Sequence, residues 1–400
     1  MKAVVLAAGQ GTRLRPLTDT RPKPLVPVAG TPILEHVLDA ATPVVDGFVI
    51  VVGYRGDAVK DRIGSSYRNV PVEYVTQDEQ VGTADAVGMA EEHVSERFLV
   101  LNGDVIVRKS LVRALAEAGG HAIAAKSVPD PRNYGVLQVS DGELDGLIEK
   151  PDQPPTDLAN LGIYSFEPSV FDAIATVDRS TRGEYEITDA IESLVESRER
   201  VRVVEHEGAW LDVGYPWDVL QATSILLEDQ TGRIAGAVDD GAQLVGDVVV
   251  ESGAEIRSGV VIEGPAVIKS GSEVGPNSYI RGATVIGENC HVGHGVEVKN
   301  SVLFEDTNVP HLSYVGDSVL GSNVNFSAGT NVANLRHDEE TVNVLVKGNS
   351  VDTGRRKFGV VCGDNVKTGI NTSLNPGIKL PSNHRTRPGT VVYEDPGDAQ

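Results

Sequence analysis

MKAVVLAAGQGTRLRPLTDTRPKPL, residues 1–25, is the stretch on which the reading of the whole chain turns. Ala3–Leu6 is a short, β-rich apolar run. Ala7 to Arg13 then supply small residues, Gly9 and Gly11 among them, that let backbone N–H groups come close to a ligand. A strand that feeds a glycine loop in this way opens an α/β domain with an anion site. The loop adds two cations, Arg13 and Lys23, and Lys23 lies between Pro22 and Pro24, which restrict the backbone on both sides. A polyphosphate suits such a loop. Two commoner glycine motifs are excluded: no Lys-Ser/Thr pair follows the last glycine as in a P-loop, and Leu14 stands where a dinucleotide fingerprint needs its third glycine.

Outward from this stretch, residues 1 to about 225 alternate strand-like and helix-like runs. Phe48–Gly53 and Phe98–Asp104 are short continuous apolar runs that close on glycine, whereas Thr31–Ala41 spaces its apolar side chains for a helix. The pattern predicts a Rossmann-like α/β domain, a mixed but mainly parallel sheet covered by helices. Ligands of such sheets bind at the carboxyl ends of strands, which puts Asp104 where it can hold Mg²⁺ against a triphosphate. A second acid, Asp212 in Trp210-Leu211-Asp212-Val213-Gly214, follows the strand-like run Val201–Glu207.

The second half has a different period. From Val238 to Phe304 every sixth residue is large and apolar, with Val250, Ile256, Ile262, Ile268, Val274, Ile280, Ile286, Val292 and Val298 in the series. This predicts a left-handed parallel β-helix of hexapeptide repeats, three short strands to a triangular coil. The period resumes in a shifted phase at Tyr314, Leu320, Phe326 and Val332, and returns at Cys362, Thr368, Leu374 and Leu380. Leu335 to Gly354 is expected to be an inserted loop.

Composition narrows the function. The 400 residues carry a formal net charge of −22, which argues against a general nucleic-acid binder. Lys is scarcer than Arg, as suits an acidic surface kept hydrated in high salt. No signal-type h-region and no twenty-residue apolar span occurs, so a cytoplasmic protein without a membrane segment is expected. Cys290 and Cys362 have no metal spacing and read as structural thiols.

Gly9-x-Gly11-Thr12-Arg13 followed by Pro22-Lys23 resembles the signature of the sugar-1-phosphate nucleotidylyltransferases, which join a nucleoside triphosphate to a sugar 1-phosphate and release pyrophosphate. The resemblance implies that Leu6, Ala8, Gly9, Gly11 and Thr12 bind the nucleotide, that Arg13 and Lys23 are catalytic, and that Asp104 and Asp212 share the Mg²⁺. Gln77, Gly82 and Thr83 match a segment that reads the edge of uracil or thymine, for which an amide offers a donor and an acceptor together. Gly135, Glu149, Lys150 and Asn160 match the sugar-phosphate segments. The version Trp210-x-Asp212-x-Gly214-x-Pro216-Trp217 looks more like thymidylyltransferases than bacterial N-acetylglucosamine enzymes, so UTP and dTTP both stay open.

The repeats carry a second resemblance. His311, Tyr314 and Asn325 keep the spacing of the acetyltransferase half of the bifunctional UDP-N-acetylglucosamine pyrophosphorylase/glucosamine-1-phosphate N-acetyltransferases. Arg281 and Lys299 match that family's sugar-phosphate anchors, and Lys357 a further basic position. An ammonium must lose a proton before it attacks a thioester, and an imidazole with an ordinary pKa of about 6.5 can accept that proton, so His311 reads as the base. Ile370 replaces a family Ser, and Pro310 a family Gly. The resemblances imply a nucleotidylyltransferase domain over residues 1–228 and an acyltransferase-type β-helix over 229–400, assembled as a homotrimer. They imply two activities, with acetyl-CoA as co-substrate. Two alternatives stay open here: a nucleotidylyltransferase whose β-helix only assembles the trimer, and a non-catalytic, exchange-factor-like regulatory subunit.

Overall fold

The apolar runs of the first half form one mixed sheet in a computed structural model that describes residues 1–180 and 183–396. By contacts the chain divides into two compact units. One takes Met1–Gln10, Pro22–Leu25 and Ile33–Asp212; the other takes Gly11–Arg21, Val26–Pro32 and the chain from Val213 onward.

The strands of the first unit are β1 (Lys2–Ala7), β2 (Gly47–Val52), β3 (Val70–Thr76), β4 (Phe98–Asn102), β5 (Val105–Val107), β6 (His121–Ser127), β7 (Gly135–Ser140), β8 (Glu143–Glu149), β9 (Leu158–Phe166), β10 (Val201–Glu205) and β11 (Trp210–Asp212). The sheet runs β7-β8-β10-β6-β9-β4-β1-β2-β3 and ends on the edge strand Ser66–Tyr67. β4, β1, β2 and β3 are mutually parallel, with β1 at the centre. The antiparallel part enters with β9, which pairs β4 on one side and β6 on the other. β5 and β11 pair apart from this sheet, antiparallel, with Asp212 opposite Val105.

Successive side chains of the central strands point to opposite faces, so each face gathers its own core. Ala3, Val5, Ile50 and Leu99 pack with α1 (Ile33–Ala41), α2 (Gly56–Ile63) and α4 (Lys109–Ala118). Val4, Val49, Phe98 and Val100 pack with α3 (Thr83–Gly88), α5 (Val170–Ile174) and α6 (Ile187–Glu196). Helices on both faces explain why these strands read as unbroken apolar runs rather than alternating ones.

In the second unit successive short strands cycle around three sheets, and from Arg233 to Leu320 the strands of each sheet pair in parallel at intervals of three, which makes a three-faced parallel β-helix. Val250, Ile268 and Ile286 stack in register on one face, and the predicted core residues from Ile256 to Val298 fill the interior. The predicted phase fails at Phe304. Leu303, not Phe304, pairs with Ile286 and enters the core. Early coils repeat at 18 residues, as between Ser272 and Cys290, whereas Ser301 to Ser318 is 17. One residue is lost at each of two corners, where Asn300 and Asp317 take positive φ. The same slip makes Val315, rather than Tyr314, the interior residue of its rung. Leu320, Phe326, Val332, Cys362, Leu374 and Leu380 lie inside, and Thr368 is buried with its hydroxyl against that of Thr330 at 2.8 Å.

The expected inserted loop carries an antiparallel hairpin, Asn343–Val346 with Asn349–Asp352. α7 (Pro216–Leu227) packs on the β-helix strands Val302–Leu303 and Val319–Leu320. Cys290 and Cys362 are buried free thiols, and burial pushes that of Cys290 up to about 12.

Candidate active sites

β1 and β4 are neighbours, and Gly103 N–H donates to Leu6 O at 2.9 Å, so the chain leaving β4 passes the end of β1 and delivers Asp104 there. The β5/β11 pairing delivers Asp212 beside it. Lys23, in a 3₁₀ turn, reaches both acids: its Nζ lies 2.5 Å from Asp104 Oδ2 and 3.7 Å from Asp212 Oδ1. Three residues far apart in sequence thus meet in one charged cluster.

Gln77 follows β3 and is buried. Its Nε2 donates to Gly82 O at 3.2 Å and to Asp85 Oδ2 at 2.7 Å, which uses the amide to fix the loop before α3. Gly82 has φ +136°, and a Cβ there would lie 2.2 Å from Tyr185 O, so no other residue fits. Thr83 Oγ1 accepts from Ile187 N–H at 3.0 Å. Gln80 Nε2 donates to Ala8 O at 2.8 Å, tying this loop to the end of β1 beside Gly9.

A cleft of about 230 Å³ gathers Gly135, Glu149, Lys150 and Asn160 with Thr83 and Asp212. All four predicted sugar-phosphate residues therefore share one wall system. Lys150, with φ +46°, pairs with Glu149 at 3.1 Å. Asn160 Nδ2 donates to Tyr164 Oη at 2.8 Å, while its Oδ1 accepts from Gly162 N–H at 2.9 Å. Burial pushes the Tyr164 phenol well above its ordinary range, which keeps that oxygen protonated.

Gly11, Thr12 and Arg13 belong to the second unit. Gly11 has φ +64°, and its carbonyl accepts from Thr18 Oγ1 at 2.8 Å. The Arg13 guanidinium lies 4.9 Å from the ring centroid of Tyr215, which stacks on Trp217.

On the β-helix, Arg281, Lys299 and Gly316 occupy matching positions on successive rungs, and Tyr314 lies on the rung above Glu297. Asp317 is buried under this column, accepting from Lys299 Nζ at 2.7 Å, Asn300 Nδ2 at 2.7 Å and Asn334 Nδ2 at 2.5 Å. Asn334 Nδ2 also lies 3.1 Å from Tyr314 Oη, and burial raises the Tyr314 pKa. A Cβ at position 316 would lie 2.4 Å from Tyr314 Oη, so this glycine makes room for the ring. Arg281 pairs with Glu297 at 2.7 Å. Both predicted phosphate anchors therefore have a carboxylate partner. His311 ends the strand Asn308–His311 on the adjoining face, across the corner Leu312-Ser313 from Tyr314, and its side chain is exposed. Asn325 pairs with Asn308 at the far end of that strand, and Lys357 is exposed in a bridge with Leu335.

Residues 2–229 match the nucleotidyl transferase family. The chain belongs to that family. Residues 262–387 match the GMPPB C-terminal domain family. Among relatives, a bifunctional protein GlmU of Methanocaldococcus jannaschii is 44% identical, over 96% of this chain and 92% of its own. A bifunctional sugar-1-phosphate nucleotidylyltransferase/acetyltransferase of Sulfurisphaera tokodaii is 39% identical, over 99% and 98%. Among solved structures, a glucose-1-phosphate thymidylyltransferase of Bacillus anthracis aligns with a TM-score of 0.52 and 30% identity, over 58% of this chain and 98% of that one. This nucleotidyl transferase is a bifunctional enzyme, a nucleotidyltransferase and an acetyltransferase in one chain. The scaffold-only and exchange-factor alternatives are not favoured.

Several residues of this nucleotidyl transferase escape sequence reading. Asn102 and Glu186 line the 230 Å³ cleft, and Trp210 caps it with its ring against Tyr134 at 5.4 Å. Glu186 is buried next to the Thr83 loop yet stands in an unremarkable polar stretch of sequence. Asp317 and Asn334 are distinguished only by the 17-residue step between them, which is legible once the coil length is known.

Proposed function

We propose that the enzyme acetylates an amino-sugar 1-phosphate, glucosamine 1-phosphate first among candidates, and couples the product to UTP or dTTP with release of pyrophosphate. UDP-N-acetylglucosamine is the expected end product with UTP. The observation that carries the nucleotidyl half is Lys23 held against Asp104 and Asp212 at neighbouring chain ends. Two carboxylates that already attract an ammonium fit Mg²⁺, a hard cation that takes oxygen ligands and completes its shell with water and phosphate oxygens. Among the described residues no cluster of three or more His, Cys, Asp or Glu supplies a fuller cage, which suits an ion shared with substrate. When bound, Mg²⁺ would neutralise charge on the triphosphate.

The chain's own residues do the rest. The small residues of the loop, Leu6, Ala8, Gly9, Gly11 and Thr12, cradle the nucleotide, and Arg13 adds charge. Gln77, Gly82 and Thr83 frame the base; Gln77's amide oxygen is the end left for it, since the nitrogen holds Gly82 and Asp85. Gly135, Glu149, Lys150 and Asn160 orient the sugar phosphate so that its oxygen attacks the α-phosphorus in line as pyrophosphate leaves. Lys23 stabilises the charge that builds there.

In the acetyl half, His311 takes a proton from the C2 ammonium, the freed amine attacks the acetyl-CoA thioester, and the adduct collapses by breaking its C–S bond, the nitrogen's second proton passing to CoA as it leaves as the thiol. Tyr314 and Asn325 orient the substrate, and Arg281, Lys299 and Lys357 hold anionic groups. The supporting observation is the Arg281–Lys299 column beside Tyr314. Functionally residues 1–228 and 229–400 are the two domains. A cytoplasmic homotrimer built on a left-handed β-helix, without membrane or nucleic-acid partners, completes the reading. The test is a panel of UTP and dTTP against glucose, glucosamine, galactosamine and N-acetylglucosamine 1-phosphates, with and without acetyl-CoA. Acetyl-CoA consumption by neither amino sugar would remove the acetyl substrate assignment, and pyrophosphate release with none of the pairs would remove the nucleotidyl one.

A further inference from the structure

Two histidines of the β-helix stand one directly above the other. His294 and His311 are register partners on successive parallel strands, His291–His294 and Asn308–His311. Each is followed by a corner residue of positive φ, Gly295 at +66° and Leu312 at +45°. The corner hydrogen bond also repeats: His294 O accepts from Leu312 N–H at 2.9 Å, and His311 O from Gly329 N–H at 3.3 Å. Equal backbone geometry on neighbouring strands sends both side chains out side by side, rooted about 4.8 Å apart. Both are exposed. A leucine is disfavoured at positive φ, yet the coil imposes that corner on Leu312. A Cβ on Gly295 would lie 2.8 Å from Leu312 Cδ2, so the leucine lies across the corner that follows His294.

Asn277 flanks the pair on the His294 side, its amide nitrogen 3.4 Å from His294 Nδ1. Turned over, that amide offers its oxygen to an Nδ1–H, the kind of outer partner that fixes a metal-ligating imidazole and leaves Nε2 to the ion. On a tetrahedral ion with metal–nitrogen bonds of about 2.0–2.1 Å, two nitrogens lie about 3.3 Å apart, a separation that imidazoles one rung apart reach by leaning together. Among the described residues no group of three His, Cys, Asp or Glu forms a metal cluster, so water would fill the remaining positions. Imidazole suits zinc, nickel and copper, whereas magnesium takes oxygen ligands.

We infer that His294 and His311 chelate a divalent transition-metal ion of the zinc class, and that the bound ion is a brake on acetyl transfer. The brake rests on the reading of His311 as the base, because a metal on its Nε2 occupies the lone pair that takes the proton from the ammonium. The ion site itself does not depend on that reading. It lies wholly within the β-helix and uses no residue of the proposed Mg²⁺ site.

Calorimetric titration of the full chain with zinc chloride, in wild type and His294→Asn, reads the site directly. His294 is exposed, so the substitution leaves the coil intact. The wild type should bind one ion more than the variant, or the same ion about a hundredfold more tightly, because the second imidazole acts as an intramolecular ligand. Identical isotherms, or no binding by the wild type, overturn the site. Acetylation of glucosamine 1-phosphate then reads the brake. Zinc should inhibit the wild type, a chelator should restore it, and magnesium should not inhibit. His294→Asn should keep the zinc-free rate while needing about a hundredfold more zinc for the same inhibition. Zinc bound at the pair with acetylation undiminished, or equal zinc sensitivity in the variant, overturns the brake. A wild type that acetylates no amino-sugar phosphate fails the proposed function instead, and the titration still decides the ion site.

Discussion

The two candidate sites are built from similar chemistry by opposite means. In the first unit Lys23, Asp104 and Asp212 come from distant parts of the chain and meet because a parallel sheet brings its strand ends together. In the β-helix Arg281, Lys299 and Asp317 meet because the chain returns to the same place every 17 or 18 residues. A lysine touches a carboxylate in both. The first lysine lies between two acids that are partly accessible; the second caps one acid that is buried and shared with two asparagines. The first arrangement leaves charge available to an incoming ion and phosphate, whereas the second spends much of its charge on holding a corner.

Breaking the comparison begins with the acids proposed to hold the metal. Asp104→Ala should lower nucleotidyl transfer by roughly a thousandfold or more, because an ion that neutralises the triphosphate loses one of two anchors. Acetyl transfer measured on the same preparation should hold; a parallel loss of both would mean that the two sites do not work apart. His311→Ala is the mirror experiment. Loss of a positioned base should slow acetylation by about 10²–10⁴-fold, with partial recovery as pH rises and supplies free amine. Full acetylation in that variant would move the base elsewhere.

A smaller effect sharpens the structural side. Leu303→Ala empties a core position of the β-helix and should cost about 2–5 kcal/mol of its stability. Denaturation followed with a probe in each unit should show the loss in the second unit, and an unchanged midpoint would restore the simple six-residue phase. The mildest test is of pH. His121 is buried, accepts at Nδ1 from Glu167 N–H at 3.4 Å and places Nε2 3.1 Å from Ser169 Oγ, and burial holds its pKa below the ordinary 6.5. A depressed folded pKa favours the neutral ring, so this contribution is complete above pH 6.5 and is lost as pH falls through the lower folded value. His121→Gln should flatten that part of the stability profile of the first unit and leave the β-helix alone; an unflattened profile would assign the acid sensitivity to other groups.

How much of this was legible in the sequence follows the same division. The repeat of six declares the β-helix because every rung buries one residue of the same kind. It fails at 303 and 304, where two large apolar side chains are adjacent and only the corner length decides which turns inward. The parallel core of the first unit was readable from Phe48 and Phe98 onward, but the antiparallel entry of β9 was not, since a buried strand reads alike in either direction. Lys23, Asp104 and Asp212 stood out by motif. Glu186 and Asp317 did not, because their importance comes from where the fold buries them. Gln77 reads as a base contact by motif, and the structure gives its amide nitrogen the work of holding Gly82 and Asp85.

The inserted hairpin has a consequence for how such a chain can change. Leu320 and Cys362 are stacked as directly as any neighbouring rungs, and the hydrogen bonds that bridge the insertion, Val360 N–H to Ser318 Oγ and Ser322 N–H to Asp364 Oδ1, each span 42 residues without a break in the stack. The excursion leaves and rejoins one continuous column, so its length is not fixed by the coils above and below. Descendants can lengthen, trim or exchange this segment as a cassette while the rungs before and after it stay aligned.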